Sequence, residues 1–177
     1  MKTIAFAVWG LLLVGAPCAF AKSAKSVKVT MNSVTAEGVG ASIGTITIKE
    51  SKDGVTLEPK LKGLAAGEHG FHIHENASCD PADKDGKKTA AQAAGGHLDP
   101  DATKAHKGPG GGGHKGDLPK LVVSDKGEAK DKIDVKGLTL ADFQGHALMI
   151  HEGGDNYSDT PKPLGGGGAR IACGVVK

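Results

Sequence analysis

Hydrophobic and polar residues alternate in short runs along most of the chain. Val27, Val29 and Met31 occupy alternate positions, and so do Ile46 and Ile48. Successive side chains of a strand point to opposite faces of a sheet, so a period of two predicts half-buried β-strands. Similar runs cover residues 55–61, 69–75, 118–124, 129–135, 146–152 and 169–176. Helical periodicity is hard to find, and the pattern therefore predicts about eight strands.

Turn signals such as Lys52-Asp53-Gly54 and Asp125-Lys126-Gly127 separate neighbouring runs. Several short antiparallel strands in one chain favour an all-β fold, either a β-sandwich or a closed barrel. Two long connections, residues 76–117 and 152–168, interrupt the pattern. Loops of that length in a compact domain are usually functional or disordered.

The N-terminus has the pattern of a cleaved secretory signal. Lys2 precedes an apolar run at 4–15, which is too short to span a bilayer comfortably, and Ala19-Phe20-Ala21 supplies small residues for a signal peptidase. We therefore expect residues 1–21 to be removed. An uncleaved membrane anchor is the alternative; the proline before Cys18 fits a lipoprotein cleavage site poorly.

The expected mature domain, residues 22–177, carries 21 basic and 20 acidic side chains and only three aromatic ones. This balance gives no basic surface for nucleic acid and no aromatic platform for base stacking. We also expect no membrane association after cleavage of the signal. Cys79 and Cys173 remain as an even pair in an exported protein, which favours a disulfide.

Two histidines at alternate positions are the first indication of a metal site. In the stretch HGFHIHE, Phe71 and Ile73 share one face of the predicted strand, and His72 and His74 share the other. Two imidazoles about 7 Å apart on one strand face can converge on one ion. His69 lies on the same face of the predicted strand as Phe71, and we interpret it as a structural residue.

A second histidine pair lies in HALMIHEGGD. His146 and His151 are five residues apart and face opposite sides of a regular strand, so only one of them can join a given site. His151 lies where the second long connection begins and is the better candidate. His146 is interpreted as an exposed or packing residue.

The segment HLDPDATKAHKGPGGGGHKGD has almost no apolar residue with which to form a core. Its three imidazoles and one carboxylate form the donor set that zinc takes in a closed tetrahedral site. Pro109 and the following glycines permit tight turns around an ion. A flexible histidine-bearing linker is the alternative. The candidate ligands are His97, His106, His114 and Asp117.

Four stretches together resemble one family: HGFHIHE, GGHLDPDATKAHKGPGGGGHKGDLP, MIHEGGDNYSD and GGGGARIACGV. In this order and spacing they are similar to the copper/zinc superoxide dismutases, and specifically to the exported bacterial ones. The resemblance runs from about Val27 to Val176. It implies an eight-stranded antiparallel Greek-key barrel or sandwich with two long functional loops.

The resemblance also implies the metal ligands. Copper would be held by His72, His74, His97 and His151, and zinc by His97, His106, His114 and Asp117. The imidazole of His97 would thus bridge one copper and one zinc per subunit. An all-imidazole set suits Cu(II), and a closed set of three histidines and one aspartate suits zinc. Asp155 matches a carboxylate that hydrogen-bonds a ligand histidine of each site, and Cys79 and Cys173 match the disulfide of the family.

The activity implied is the conversion of superoxide to dioxygen and hydrogen peroxide, through alternate reduction and reoxidation of the copper. Arg170 matches the arginine that guides the anionic substrate, and His97 matches the bridging ligand that takes up a proton. We expect such an enzyme to act in the periplasm and to protect the cell envelope. The resemblance leaves monomer and homodimer open.

The second loop lacks the acidic pair and lysine that steer substrate in the eukaryotic enzymes. Three lysines of the first loop are candidates for that task, and a merely solvated charge run is the alternative: Lys84, Lys87 and Lys88. A metal-handling protein and a zinc hydrolase are the two rival functions. A metal-handling protein of the same fold would lack a copper ligand or the arginine, and a zinc hydrolase would need an open metal position and a nearby general base.

Overall fold

A computed structural model of the chain describes residues 25–177. The predicted signal peptide lies outside the described residues. Within them the regular secondary structure is almost entirely β-strand, and no helix is long and apolar enough to cross a bilayer. The twelve strands are β1 Ser26–Thr35, β2 Gly38–Glu50, β3 Gly54–Lys62, β4 Gly67–His69, β5 Phe71–His74, β6 Ala82–Lys84, β7 Lys87–Thr89, β8 Leu121–Val123, β9 Glu128–Ala129, β10 Ile133–Lys136, β11 Ala147–His151 and β12 Arg170–Val175.

Eight of these strands form one curled antiparallel sheet. Its order is β10-β3-β2-β1-β12-β11-β5, and β9 pairs with β3 beside β10. The first three strands are a simple meander, whereas β12 from the C-terminus inserts between β1 and β11. Two short ribbons, β4–β8 and β6–β7, complete the β-structure of the described residues. The predicted all-β antiparallel barrel is confirmed.

The alternating apolar residues fill the interior of this sheet. Met31, Ile46, Ile48 and Leu57 are fully buried in one core cluster. Burial of such a side chain contributes on the order of 1.5–3 kcal/mol relative to leaving it exposed. The same cluster includes Leu121 of the separate β4–β8 ribbon, so ribbon and sheet enclose one core.

Three predicted strands differ from those observed. The run 69–75 is broken at Gly70, which places His69 at the end of β4 and Phe71–His74 on β5. The run 129–135 is interrupted between β9 and β10, and the run 118–124 forms a strand only over Leu121–Val123. The alternation of hydrophobic and polar residues continues through these points, because a residue between two strands can also bury its side chain. The pattern alone therefore does not show where a strand ends.

The two long connections contain local structure. The first holds the β6–β7 hairpin and a 3-10 helix at Gln92–Ala94; the second holds a 3-10 helix at Leu164–Gly166. A disulfide joins Cys79 of the first connection to Cys173 on β12, with a Cα–Cα distance of 5.7 Å, as expected from the sequence. The first connection is thereby attached to the middle of the main sheet.

Candidate metal centre

Strand β5 is an edge of the main sheet, and the first long connection returns to it at two points. The Leu98 N–H donates to the Ile73 carbonyl, and the Ile73 N–H donates to the Gly116 carbonyl, both at 2.9 Å. These contacts bring His97 opposite His74 and Asp117 opposite His72 as isolated β-bridges. The alternation predicted for β5 is correct, but its outer face is covered by the connection and is buried as well.

Four ring nitrogens converge beside β5. His72 and His74 come from the strand, His97 from the first connection and His151 from the end of β11. One nitrogen of each lies within 4.8 Å of the corresponding nitrogens of the other three. The His74 and His151 Nε2 atoms are 3.4 Å apart, although both side chains are almost completely buried.

A second cluster adjoins the first on the other side of His97. The His97 Nδ1 and the His106 Nδ1 each lie 3.0 Å from the Asp117 Oδ1, and the His114 Nδ1 lies 3.4 Å from it. The donor atoms that lie within 4.8 Å of one another here come from His97, His106, Asp117 and also His72. His114 is not in this group, and its side chain is the most exposed of the four predicted zinc ligands at 9%. The structure therefore brings together all of the predicted zinc ligands, with His114 at the outer edge.

The orphaned nitrogen atoms test whether metal ions fit. Among residues 25–177, four buried side-chain nitrogens have no hydrogen-bond partner: His72 Nδ1, His97 Nε2, His106 Nδ1 and His114 Nδ1. Leaving such a group unpaired costs about 1–3 kcal/mol each. They all point into the two clusters, where a metal ion would use their lone pairs. The residues present therefore fit two adjacent ions.

The remaining nitrogens of the ligand histidines are held by the protein. Asp155 Oδ2 accepts from the His72 Nε2–H at 2.8 Å, and its Oδ1 accepts from the His106 Nε2–H at 2.7 Å. One buried carboxylate thus orients a ring of each cluster, which is the usual way in which a ligand imidazole is fixed. The site also depends on a glycine that the sequence did not single out. A Cβ at Gly165 would lie 2.0 Å from the Asp155 Oδ1.

Two other histidines lie outside both clusters. His69 is buried, with its Nδ1 2.7 Å from the His151 carbonyl and its Nε2 2.9 Å from the Ala65 carbonyl. It therefore has the structural role expected for it. His146 is half-buried and its Nδ1–H donates to the Glu75 carbonyl at 2.7 Å, which agrees with a packing residue.

Arg170, the only arginine of the chain, lies next to the first cluster. Its guanidinium donates to the Ala91 and Gly95 carbonyls, both at 2.6 Å. The Gly95 carbonyl also accepts from the His74 Nδ1–H at 3.0 Å. One carbonyl oxygen therefore connects the arginine with a candidate copper ligand. The candidate steering lysines lie on the exposed β6–β7 hairpin, and we call them the hairpin lysines: Lys84, Lys87 and Lys88.

Burial keeps most of the clustered imidazoles neutral. It lowers the pKa of His97 to about 4 and that of His151 to about 3. Neutral rings have the free lone pair that metal binding requires. His106 is different: burial lowers its pKa, but the adjacent carboxylates of Asp117 and Asp155 outweigh burial and raise the pKa to about 9. The two carboxylates therefore favour a positive charge at this position, which is the charge that a bound cation would supply.

Fold and site together define a class: a β-barrel metalloprotein with two adjoining, histidine-rich metal sites. Comparison with known proteins agrees. A family model described as copper/zinc superoxide dismutase (SODC) matches residues 42–176. A Salmonella typhimurium relative named "Superoxide dismutase [Cu-Zn] 2" is 57% identical over 178 residues and covers 100% of both chains.

Two solved structures are also similar. The Cu/Zn superoxide dismutase from Brucella abortus superposes with a TM-score of 0.85 at 47% identity, covering 86% of this chain and 100% of its own. The monomeric copper, zinc superoxide dismutase from Salmonella enterica has a TM-score of 0.77 at 58% identity, with the same coverage. The chain belongs to the copper/zinc superoxide dismutase family. It is an oxidoreductase that acts on superoxide, with copper and zinc as cofactors.

Proposed function

We propose that the chain is an exported superoxide dismutase of the cell envelope in which each cluster binds one metal. His72 Nδ1 and the Nε2 atoms of His74, His97 and His151 face the copper. The Nδ1 atoms of His97, His106 and His114, together with Asp117, would hold the zinc. The observation that carries this proposal is the set of unpaired, buried nitrogens that point into the two clusters.

The protein's own groups act on the substrate and on the proton. Copper, when bound, supplies the one-electron chemistry of the net reaction, in which two superoxide ions and two protons give dioxygen and hydrogen peroxide. Arg170 attracts the anion, because its guanidinium stays ionised and is fixed by two carbonyls that leave other N–H groups free. His97 Nε2 has no protein partner and can hold the proton that is passed to the reduced product.

Two features support export. The N-terminal residues have the pattern of a cleaved signal, and the mature chain contains a disulfide, a bond that persists in oxidising compartments. We infer a periplasmic enzyme that protects the envelope, with residues 1–21 removed and residues 22–177 as the working domain. N-terminal sequencing of the periplasmic protein should begin at Lys22.

We propose a monomer rather than a homodimer. The large hydrophobic side chains that the described residues expose lie on three different elements: Val39 on β2, Val122 on β8 and Leu164 in the second loop. Stable dimers bury contiguous apolar surface, which scattered single residues do not provide. The structure of the similar Salmonella enterica protein is described as monomeric. Sedimentation equilibrium of the metal-loaded protein should give the mass of one chain; twice that mass would contradict the proposal.

Metal analysis of single histidine variants tests the two ligand sets. His151→Ala should lose copper and dismutase activity but keep zinc, and His114→Ala should lose zinc but keep copper. His97→Ala should impair both sites. His146→Ala is the matched control, because this histidine lies outside both clusters, and it should keep both metals and full activity. Loss of zinc from His151→Ala with copper retained would contradict the assignment.

A further inference from the structure

Alternate residues of the second loop contact the first loop. Asp155, Tyr157 and Asp159 all meet the segment that surrounds His106. Asp155 holds the His106 ring, as described above. Tyr157 covers Gly108 so closely that a Cβ at position 108 would lie 2.6 Å from the tyrosine Cγ. The two loops are therefore joined around one candidate zinc ligand, although about fifty residues separate them in sequence.

Asp159 contacts His106 at the backbone. Its Oδ2 accepts from the His106 N–H at 2.8 Å, and its Oδ1 accepts from the Leu164 N–H at 3.1 Å. A carboxylate has only acceptors, and both of its oxygens meet donors here. One oxygen thus binds the candidate ligand, and the other binds the start of the 3-10 helix in the second loop.

The two aspartates restrain His106 in different ways. Asp155 binds the ring at Nε2, which leaves the ring free to pivot about that contact. Asp159 binds the main chain of the same residue and so restrains the Cα from which the ring extends. The two contacts act on the same residue whose Nδ1 lies 3.0 Å from the Asp117 Oδ1.

We propose that Asp159 is a positioning residue of the zinc site, acting through the backbone of His106. Like the proposed function, this inference depends on the assignment of His106 to zinc. Carboxylates that support a ligand histidine change metal affinity by about 10–100-fold when they are removed. A contact to the backbone instead of the ring should lie at the lower end of that range.

Cobalt binding measures the zinc site directly. The protein is loaded anaerobically with one Cu(I) per chain, which has no d–d absorption, and is titrated with Co(II). Cobalt binds nitrogen and oxygen sites more weakly than zinc, so its dissociation constant is easier to measure. Asp159→Ala should weaken Co(II) binding about tenfold. The Co(II) dissociation constant of Asp159→Asn should lie between those of the parent and Asp159→Ala, because its single amide oxygen can replace only one of the two accepted hydrogen bonds.

Asp99→Ala is the matched control. Asp99 also lies in a long loop and also accepts two backbone hydrogen bonds, from the Thr103 N–H at 3.0 Å and the Lys104 N–H at 2.8 Å. Neither donor belongs to a candidate ligand. This variant should bind Co(II) as the parent does, with an unchanged d–d spectrum, whereas the d–d bands of Asp159→Ala should shift.

The outcomes separate the two proposals. Equal weakening by Asp99→Ala and Asp159→Ala, or parent-like binding by Asp159→Ala, would overturn the positioning role. If the parent itself shows no tetrahedral Co(II) spectrum, or if His106→Ala leaves that spectrum intact, the zinc assignment fails instead. Circular dichroism of each variant identifies any loss of the fold.

Discussion

Reduction of the Cys79–Cys173 disulfide should lower the free energy of unfolding substantially. The two cysteines are 94 residues apart, so the bond closes a long loop in the unfolded chain. In the chain-entropy model a loop of this length is worth about 4.7 kcal/mol at 25 °C. This is a large share of the roughly 5–15 kcal/mol that stabilises a typical domain. The reduced protein is therefore expected to be only marginally stable.

Guanidinium titration of the metal-free protein measures this difference. Metals must be absent, because an ion that binds only the folded state adds its own stabilisation. The parent is compared with and without reductant, and Cys79→Ala/Cys173→Ala is measured in both conditions. The double variant should be insensitive to reductant, while the parent should lose about 4.7 kcal/mol. A loss below about 1 kcal/mol in the parent would refute the entropic argument.

Three further predictions follow from the site. Gly165→Ala should abolish binding of both metals, because the added Cβ would collide with Asp155. Gly166→Ala is the control and should keep both metals, since this glycine also has a positive φ but no such contact. Metal analysis of the two variants therefore separates the effect of the collision from that of backbone strain. Unfolding of the metal-free protein should show maximal stability near pH 6.5. Below that pH the unfolded chain binds the protons that buried His97 and His151 exclude, so the free energy of unfolding falls towards pH 3–4. Above that pH the free energy of unfolding is lost as the pH rises towards the folded pKa of His106, about 9. A stability profile without a maximum would contradict this prediction. Reversing the charge of the hairpin lysines should lower kcat/KM at low ionic strength and much less at high salt, since exposed charges are screened; equal kcat/KM values at low salt would show that these lysines do not steer the substrate.

Strand positions could be predicted from the sequence because one face of each long strand is buried. Met31, Ile46 and Leu57 lie in the core as the alternation indicates. The breaks could not be predicted in this way. Gly70 separates two strands, but the alternation of side-chain faces continues across the break. The sequence pattern therefore placed His69 and His72 on one strand.

The histidine-rich segments could be identified from donor chemistry, but their grouping could not. His72 belongs to a strand, and its neighbours in space come from the first loop and from β11. Donor chemistry within one segment grouped the four zinc candidates, but only the resemblance to a family joined His72 and His74 with His97 and His151; the individual ligand roles stay predictions. The Asp159 contact gave no signal at all, because an exposed loop aspartate has no distinctive spacing from His106.

The carbonyl of Gly95 limits how substitutions in its loop can change the properties of this enzyme. The same oxygen accepts from His74 and from Arg170, so the proposed copper ligand and the charge proposed to attract the substrate share one point of attachment. If His74 and Arg170 have the proposed roles, a substitution that displaces this backbone segment alters the copper ligand field and the attraction of the anion at once. Redox potential and substrate affinity are therefore coupled traits, and directed evolution through this loop should change them together.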